Sequence, residues 1–308
     1  MDAQLRAAVD AVKAEVVKQI GGMRQANKVV PVSGKRCVLP LEGRSLDAVY
    51  YEAEAPHAPL LMCFHGGGYL FGGCALDDGL WNTMRNKLNV NVISIDYRKS
   101  PDFHWPQPVE DAYDSAVYLK AHASEFGFDK DHISLCGNSA GAHISAAAAV
   151  YAQEKGELHF DYQILNYPAV DYVTSPLEKE KGALDVPFSI AITELHFPEG
   201  TDFSHPIVSP CCASEEQLKH MPKTIIRTAA YDSLRAEAER FAQQLKQAGV
   251  EVYIDNAEGM PHGYFEYGFT TGMGAGYLGE DIQKLIKDGS MHKEAEKCLD
   301  FIAEHFYK

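Results

Sequence analysis

Residues 137–141 read Gly-Asn-Ser-Ala-Gly, which sets one hydroxyl between glycines two positions to either side. The preceding run is apolar and the following one is rich in alanine, so the pattern predicts a strand, a sharp turn at Ser139 and a helix. Side chains at 137 and 141 would collide with the elements such a turn brings together, and glycine removes them. A chance match in a strand-helix loop is the competing reading, and the place between two apolar elements favours a nucleophile. A serine hydroxyl attacks weakly at neutral pH. It needs a general base, a carboxylate to orient that base, and N–H donors for the oxyanion that develops.

Each requirement has a candidate. His65-Gly66-Gly67-Gly68 follows an apolar run, and its glycines leave backbone N–H groups unshielded. Gly67 and Gly68, with the N–H of Ala140 at the start of the helix after Ser139, are the expected oxyanion donors. A phosphate-cradling loop is the rival, but the stretch contains neither G-x-G-x-x-G nor a Lys-Ser/Thr pair. His262, between Pro261 and Gly263 after a late strand, is the candidate base. Asp232, where a strand gives way to a helix, is the candidate acid, with helix N-capping as its alternative role. Asp255 and Glu258 lie nearer His262 in sequence, but Asp255 falls inside a strand pattern and Glu258 reads as a loop carboxylate.

The elements that must position these residues alternate in type. Leu5, Val9, Val12, Val16 and Ile20 recur at three- and four-residue spacing and predict an amphipathic first helix. Strands are expected at 46–53, 59–65, 90–97, 132–136, 162–168, 223–230 and 250–256. Helices are expected at 106–126, 140–152, 233–248 and 292–305. This alternation argues for a mostly parallel central sheet with helices on both faces. Two stretches break it: the proline-studded 171–210, read as an insertion with short helices, and 267–290, read as irregular because it holds glycines 268, 272, 274, 276 and 279.

Taken together, "HGGGY", "GNSAG", "DYRKSPDFHWPQPVEDAYDS", "YPAVD", "YDSLRAEAE" and "GMPHGYF" resemble the hormone-sensitive-lipase-like, or bacterial family IV, carboxylesterases of the α/β-hydrolase fold. The resemblance runs from about residue 45 to 267. It implies an α/β-hydrolase fold with a helical cap, a triad of Ser139, Asp232 and His262, an oxyanion hole of Gly67, Gly68 and Ala140, and support from Gly66 and from His65, which would fix the glycine loop. By the same resemblance residues 1–40 are N-terminal cap helices, 41–170 and 206–308 the core, and 171–205 a cap insertion. Asn138 departs from the family, whose members often carry an acidic residue or threonine there, and Ser233 replaces its usual proline. The implied activity is hydrolysis of short-chain esters, acetyl to about hexanoyl, through an acyl-enzyme, with no metal or organic cofactor. Tyr69, Asn138, Phe188 and Phe197, with Leu70, Phe71, Leu195 and His196, are candidate pocket residues, against the alternative that each is plain core.

Composition narrows the partners. With 28 Lys+Arg against 43 Asp+Glu, the formal charge of −15 repels nucleic acid and anionic membranes. Seven cysteines without a CxxC pair read as reduced thiols, and the charged N-terminus lacks a signal-peptide run, so a cytoplasmic protein without stable membrane association is expected. The partner expected is a small ester. A homodimer contact through 267–290 stays open beside a pocket-wall role or a plain surface loop. An amidase or lactonase on the same triad and a non-catalytic binding protein of the same fold are the alternatives, the latter disfavoured by His262 in its full "GMPHG" setting.

Overall fold

The structure is a computed structural model that describes residues 1–156, 158–269 and 280–307. Strands β1 (Lys35–Leu41), β2 (Arg44–Tyr51), β3 (Leu60–Phe64), β4 (Asn91–Ile95), β5 (Ile133–Asn138), β6 (Tyr162–Asn166), β7 (Lys223–Tyr231) and β8 (Val252–Pro261) form one sheet in the order β1-β2-β4-β3-β5-β6-β7-β8. β1, β2 and β4 pair antiparallel, and every later pairing is parallel. The central strands are buried along their whole length, as expected of runs covered on both faces.

The helices are α1 (Ala3–Val29), α2 (Asp78–Leu88), α3 (Gln107–Ala121), α4 (Ala123–Phe126), α5 (Ala140–Lys155), α6 (Val186–His196), α7 (Glu215–Leu218), α8 (Arg235–Gln247), α9 (Tyr264–Phe269), α10 (Glu280–Lys287) and α11 (Ser290–His305). α3, α5 and α8 contribute to the core on one face of the sheet, while α2, α9 and α11 contribute to the core on the other. α5 is small on all sides, and twelve of its residues from Ala140 to Ala152 are buried. Alanines let the helix lie close to β5 and β6 beneath the serine.

α1 and α6 stand apart from the sheet and pack on each other. Val9 meets Ile190 and Ala191, and farther along Val16 and Ile20 join Leu70 with Phe71, Phe188 and Ile192. Burying such side chains stabilises by about 1.5–3 kcal/mol each. Arg6 and Lys13 both reach Glu194 across the seam, but these pairs are partly exposed and add little. Asn27 pins the far end of α1, donating to Asp96 at 3.0 Å and accepting from the Ala75 N–H at 2.9 Å. α1 is thereby tied to the loop after β3.

Two expectations need correction. The stretch 267–290 is not irregular throughout, because α9 runs to Phe269 and α10 occupies Glu280–Lys287; glycines 272, 274, 276 and 279 lie outside the described residues. Strand β1 and helix α2 were absent from the expected elements, and β1 puts residues 35–40, expected with the N-terminal cap helices, in the core sheet. β1 is an edge strand that buries only Leu39 and carries Pro40, so it has no apolar run to betray it. α2 did leave a signal in Leu80, Trp81 and Met84, all buried on one side.

Two glycine substitutions should move stability in opposite directions. A Cβ at Gly141 would sit 2.0 Å from the Phe64 carbonyl oxygen, so Gly141→Ala should lose about 1–3 kcal/mol or more in urea denaturation. Gly21, inside α1, has open space around its Cβ position, and Gly21→Ala should gain about 0.5–1 kcal/mol.

Candidate active site

Strand β5 ends at Asn138 and α5 begins at Ala140, so the whole change of direction falls on Ser139. Its φ of 54° and ψ of −117° are strained for a residue with a side chain. Hydrogen bonds from both sides hold it there: Ser139 donates its N–H to the Asn166 carbonyl at 2.9 Å, and its own carbonyl accepts from the His143 N–H at 3.0 Å. The flanking glycines have a steric cause. A Cβ at Gly137 would lie 2.1 Å from the Gly141 oxygen, and one at Gly141 would strike the backbone of β3.

The sheet's parallel half brings the other two candidates to the same edge. Asp232 follows β7, and His262 follows β8. The His262 Nδ1–H donates to Asp232 Oδ2 at 2.7 Å, and the Ser139 hydroxyl donates to His262 Nε2 at 2.7 Å. The carboxylate fixes this tautomer, since it can only accept. Asp232 Oδ1 also accepts the Leu234 N–H at 3.0 Å, so one buried side chain orients the histidine and holds the turn entering α8. Asp232 is not the N-cap of α8, a place taken by Leu234 with no side-chain capping bond. Asp255 is engaged elsewhere, by Arg227, and Glu258 accepts from Asn256. Burial pushes the His262 imidazole down, but the charge and hydrogen bond of Asp232 outweigh it and hold the pKa above the usual histidine value.

Gly67 and Gly68 adopt φ of 109° and 59°, where a side chain is disfavoured. The turn closes on itself through the Leu70 and Phe71 N–H groups, which both donate to the Gly67 carbonyl. Among the described residues the N–H groups of Gly67, Gly68 and Ala140 have no acceptor, and all three residues line the same cavity as Ser139. His65 lies beneath the loop, fully buried, with Nδ1 donating to the Gly66 carbonyl at 2.8 Å and its ring stacked on Tyr97. Burial lowers its pKa, so it is neutral there.

The cavity holds about 860 Å³ between the sheet edge and the α1–α6 pair. Phe188, Phe71 and Tyr69 line it, although Tyr69 has little free surface because it stacks on His196 and bonds Tyr172. Asn138 and Phe197 do not line it, and neither do Leu70, Leu195 or His196. Asn138 precedes Ser139 on a strand and therefore points away from it; its Oδ1 accepts from Asn166 at 2.8 Å inside the sheet. Phe197 is buried among Tyr69, Tyr172 and Phe203. Sequence reasoning missed three residues. Ile192 presses its Cδ1 to 2.5 Å from where a Gly68 Cβ would stand, Glu266 enters from α9, and Asp77 enters from the loop before α2. Glu266 lies four residues after His262, one helical turn away, which was the available signal. Among the described residues no group of three or more His, Cys, Asp or Glu is close enough to hold a metal ion, and no helix is long and apolar enough to cross a membrane.

With this geometry in view, similarity to known proteins becomes informative. Residues 61–266 match the family described as alpha/beta hydrolase fold, and that span contains Ser139, Asp232 and His262. The esterase LipI of Mycobacterium tuberculosis is 31% identical over 226 residues, covering 71% of this chain and 70% of that protein. An arylesterase of Saccharolobus solfataricus is 27% identical over 220 residues, covering 70% and 71%. The solved structure of a hyperthermophilic esterase from Pyrobaculum calidifontis superposes with a TM-score of 0.72 at 27% identity, over 94% of this chain and 92% of that one.

The electrostatics of the histidine can be measured directly. In an NMR titration His262 should lose its proton above the ordinary histidine pKa of about 6.5, and in Asp232→Asn, where burial is opposed only by the charges of Glu266 and Glu237, it should titrate at a lower pH than in the wild type. An unchanged titration would mean that Asp232 does not govern this imidazole.

Proposed function

We propose, for a chain that belongs to the alpha/beta hydrolase fold family, the route by which it cleaves esters. Its activity class is carboxylic ester hydrolysis, the class of its esterase relatives. Ser139 is the nucleophile, His262 the general base and Asp232 the residue that orients and stabilises the imidazolium. The observation that carries this reading is the pair of 2.7 Å hydrogen bonds linking the three, ending on a hydroxyl that faces a closed-over cavity.

As the Ser139 oxygen bonds to the ester carbonyl carbon, its proton moves to His262 Nε2, and the N–H groups of Gly67, Gly68 and Ala140 receive the negative charge on the carbonyl oxygen. Collapse of that intermediate expels the alcohol, which takes the proton from His262 and leaves an acyl group on Ser139. Water then repeats the sequence with His262 again as base, releasing the acid and restoring the hydroxyl. His65 acts by holding the glycine loop rather than by touching substrate. Acyl chains from acetyl to about hexanoyl are the substrates we assign, attached to small or aryl alcohols.

The test is release of p-nitrophenol from acetate, butyrate, hexanoate and decanoate esters. Turnover should peak among the three shorter chains, and Ser139→Ala should lose about 10⁶-fold. Gly67→Val should lower turnover by about 10²–10³, because its Cβ would stand 2.7 Å from the Phe71 carbonyl carbon and displace the loop. Folded protein that leaves all four esters intact, or a Ser139→Ala protein that keeps its activity, would overturn the proposal; cleavage of anilides or lactones in preference to esters would redirect it to amide or lactone hydrolysis on the same residues.

A further inference from the structure

The mechanism uses none of the carboxyl groups that line the cavity, and most of those are spoken for. Asp171 is engaged by Arg240 and Thr174, Glu180 by Arg235, and Asp185 caps α6. Asp77 and Glu266 differ. Asp77 stands at the entry to α2 and makes no capping bond, and among the described residues its carboxyl has no partner. Glu266 receives the Tyr167 hydroxyl on Oε2 alone. Its Oε1 lies 3.2 Å from where a Gly66 Cβ would be, and Ser139 Cβ lies 3.7 Å from that same point, so both look onto the Gly66 position.

The two groups belong to one wall. α2 and α9 pack together, the Gly79 Cβ position lying 2.6 Å from the Phe269 carbonyl oxygen, and Asp77 and Glu266 enter the cavity from the starts of those elements with Leu76 and Tyr267 beside them. Asp77 feels the charge of Glu266. Of the cations in the cavity lining, Lys179 is held by Glu237 at 2.5 Å and by the Asp171 carbonyl, Lys181 lies on the same segment, and the His262 imidazole, when protonated, attracts Glu266. Burial followed by the charge of Glu266 raises Asp77 to about 8, and burial raises Glu266 to about 7.

Resting on the esterase reading above, we infer that Asp77 and Glu266 form a cation-selecting subsite of the catalytic cavity, and that the preferred esters carry a protonated amine or quaternary ammonium on the side of Ser139 that faces α2 and α9. An ammonium group there donates to both carboxylates and offsets their repulsion, whereas an anionic substrate meets two like charges and a chain of net charge −15. The apolar remainder of the cavity accommodates the neutral part of the same ester.

Two isosteric pairs test the charge on either side of the scissile bond: acetylcholine against 3,3-dimethylbutyl acetate, and p-nitrophenyl 6-aminohexanoate against p-nitrophenyl heptanoate. At pH 8 the cationic member of at least one pair should be favoured in kcat/KM by about tenfold or more. The ratio should fall toward one in Asp77→Asn or Glu266→Gln. A measurement on wild type alone guards against unfolded variants: n-butylammonium should inhibit hydrolysis of p-nitrophenyl butyrate competitively at a concentration at least about tenfold below n-butanol. Neutral esters cleaved with no cationic preference in either pair, a preference that survives both substitutions, or equal inhibition by the amine and the alcohol would overturn the subsite alone. Wild type that cleaves none of the four esters would overturn the esterase route and the subsite with it.

Discussion

The contact between the Phe64 carbonyl and the bare Cα of Gly141 governs this molecule. Because no atom stands between them, α5 can start hard against β3, and the chain must then turn within one residue. That residue is Ser139, whose strained backbone is held by the ends of β6 and α5 rather than by its own preference. Neighbouring parallel strands, paired in register from Leu60 to Phe64 and from Leu135 to Asn138, make the turn a rigid edge. Strain at the serine is offset by a core that is fully buried beneath it, which is why the hydroxyl projects where a less constrained turn would fold it away.

From that edge the remaining geometry follows by topology. Parallel strands deliver all their carboxyl ends to one side, so residues 139, 232 and 262 meet although 30 positions separate the last two and 123 the first from the last. Electrostatics then sharpens what topology brings together. A neutral imidazole in a buried place would be a poor proton acceptor, but Asp232 raises its affinity for the proton while also accepting from the backbone that starts α8. His65 shows the opposite balance: it is buried, neutral and structural, with its ring fixed between Tyr97 and the glycine loop. Two histidines close to the same serine thus differ in role because one faces a carboxylate at 2.7 Å and the other's nearest carboxylate oxygen lies at 3.6 Å.

Much of this was legible in the residues, and what was not has a physical reason. Buried strands such as Leu60–Phe64 and Asn91–Ile95 announce themselves as apolar runs, and the turn glycines announce the steric crowding that requires them. The amphipathic edge strand β1 had no comparable mark. Pocket membership was harder still, since it depends on where side chains point in three dimensions. Asn138 neighbours the nucleophile in sequence, yet strand alternation aims it into the sheet, and Phe197 follows α6 only to turn into an aromatic cluster. Asp77 and Glu266 read as ordinary surface carboxylates until α2 and α9 are seen packed with both groups turned inward.

The residues proposed to make bonds and those proposed to choose substrates come from different elements. Ser139, Asp232, His262 and the proposed oxyanion donors come from strand ends and their immediate turns, elements stabilised by the cores on both faces of the sheet. The cavity's outer walls come from α1, α6 and the segment around Lys179, joined to the rest by two small apolar clusters and a few exposed ion pairs. Exposed pairs contribute at most about 1 kcal/mol each, so residues on these walls can be exchanged at little cost to the sheet edge. Glu266 is the exception that joins the two halves. It accepts from Tyr167, whose ring lies 4.9 Å from that of His262, and its carboxyl also feels the charge of that imidazole. A cation held in the proposed subsite would change the field at His262 as well as the affinity, which would couple recognition to the proton transfer proposed for that imidazole.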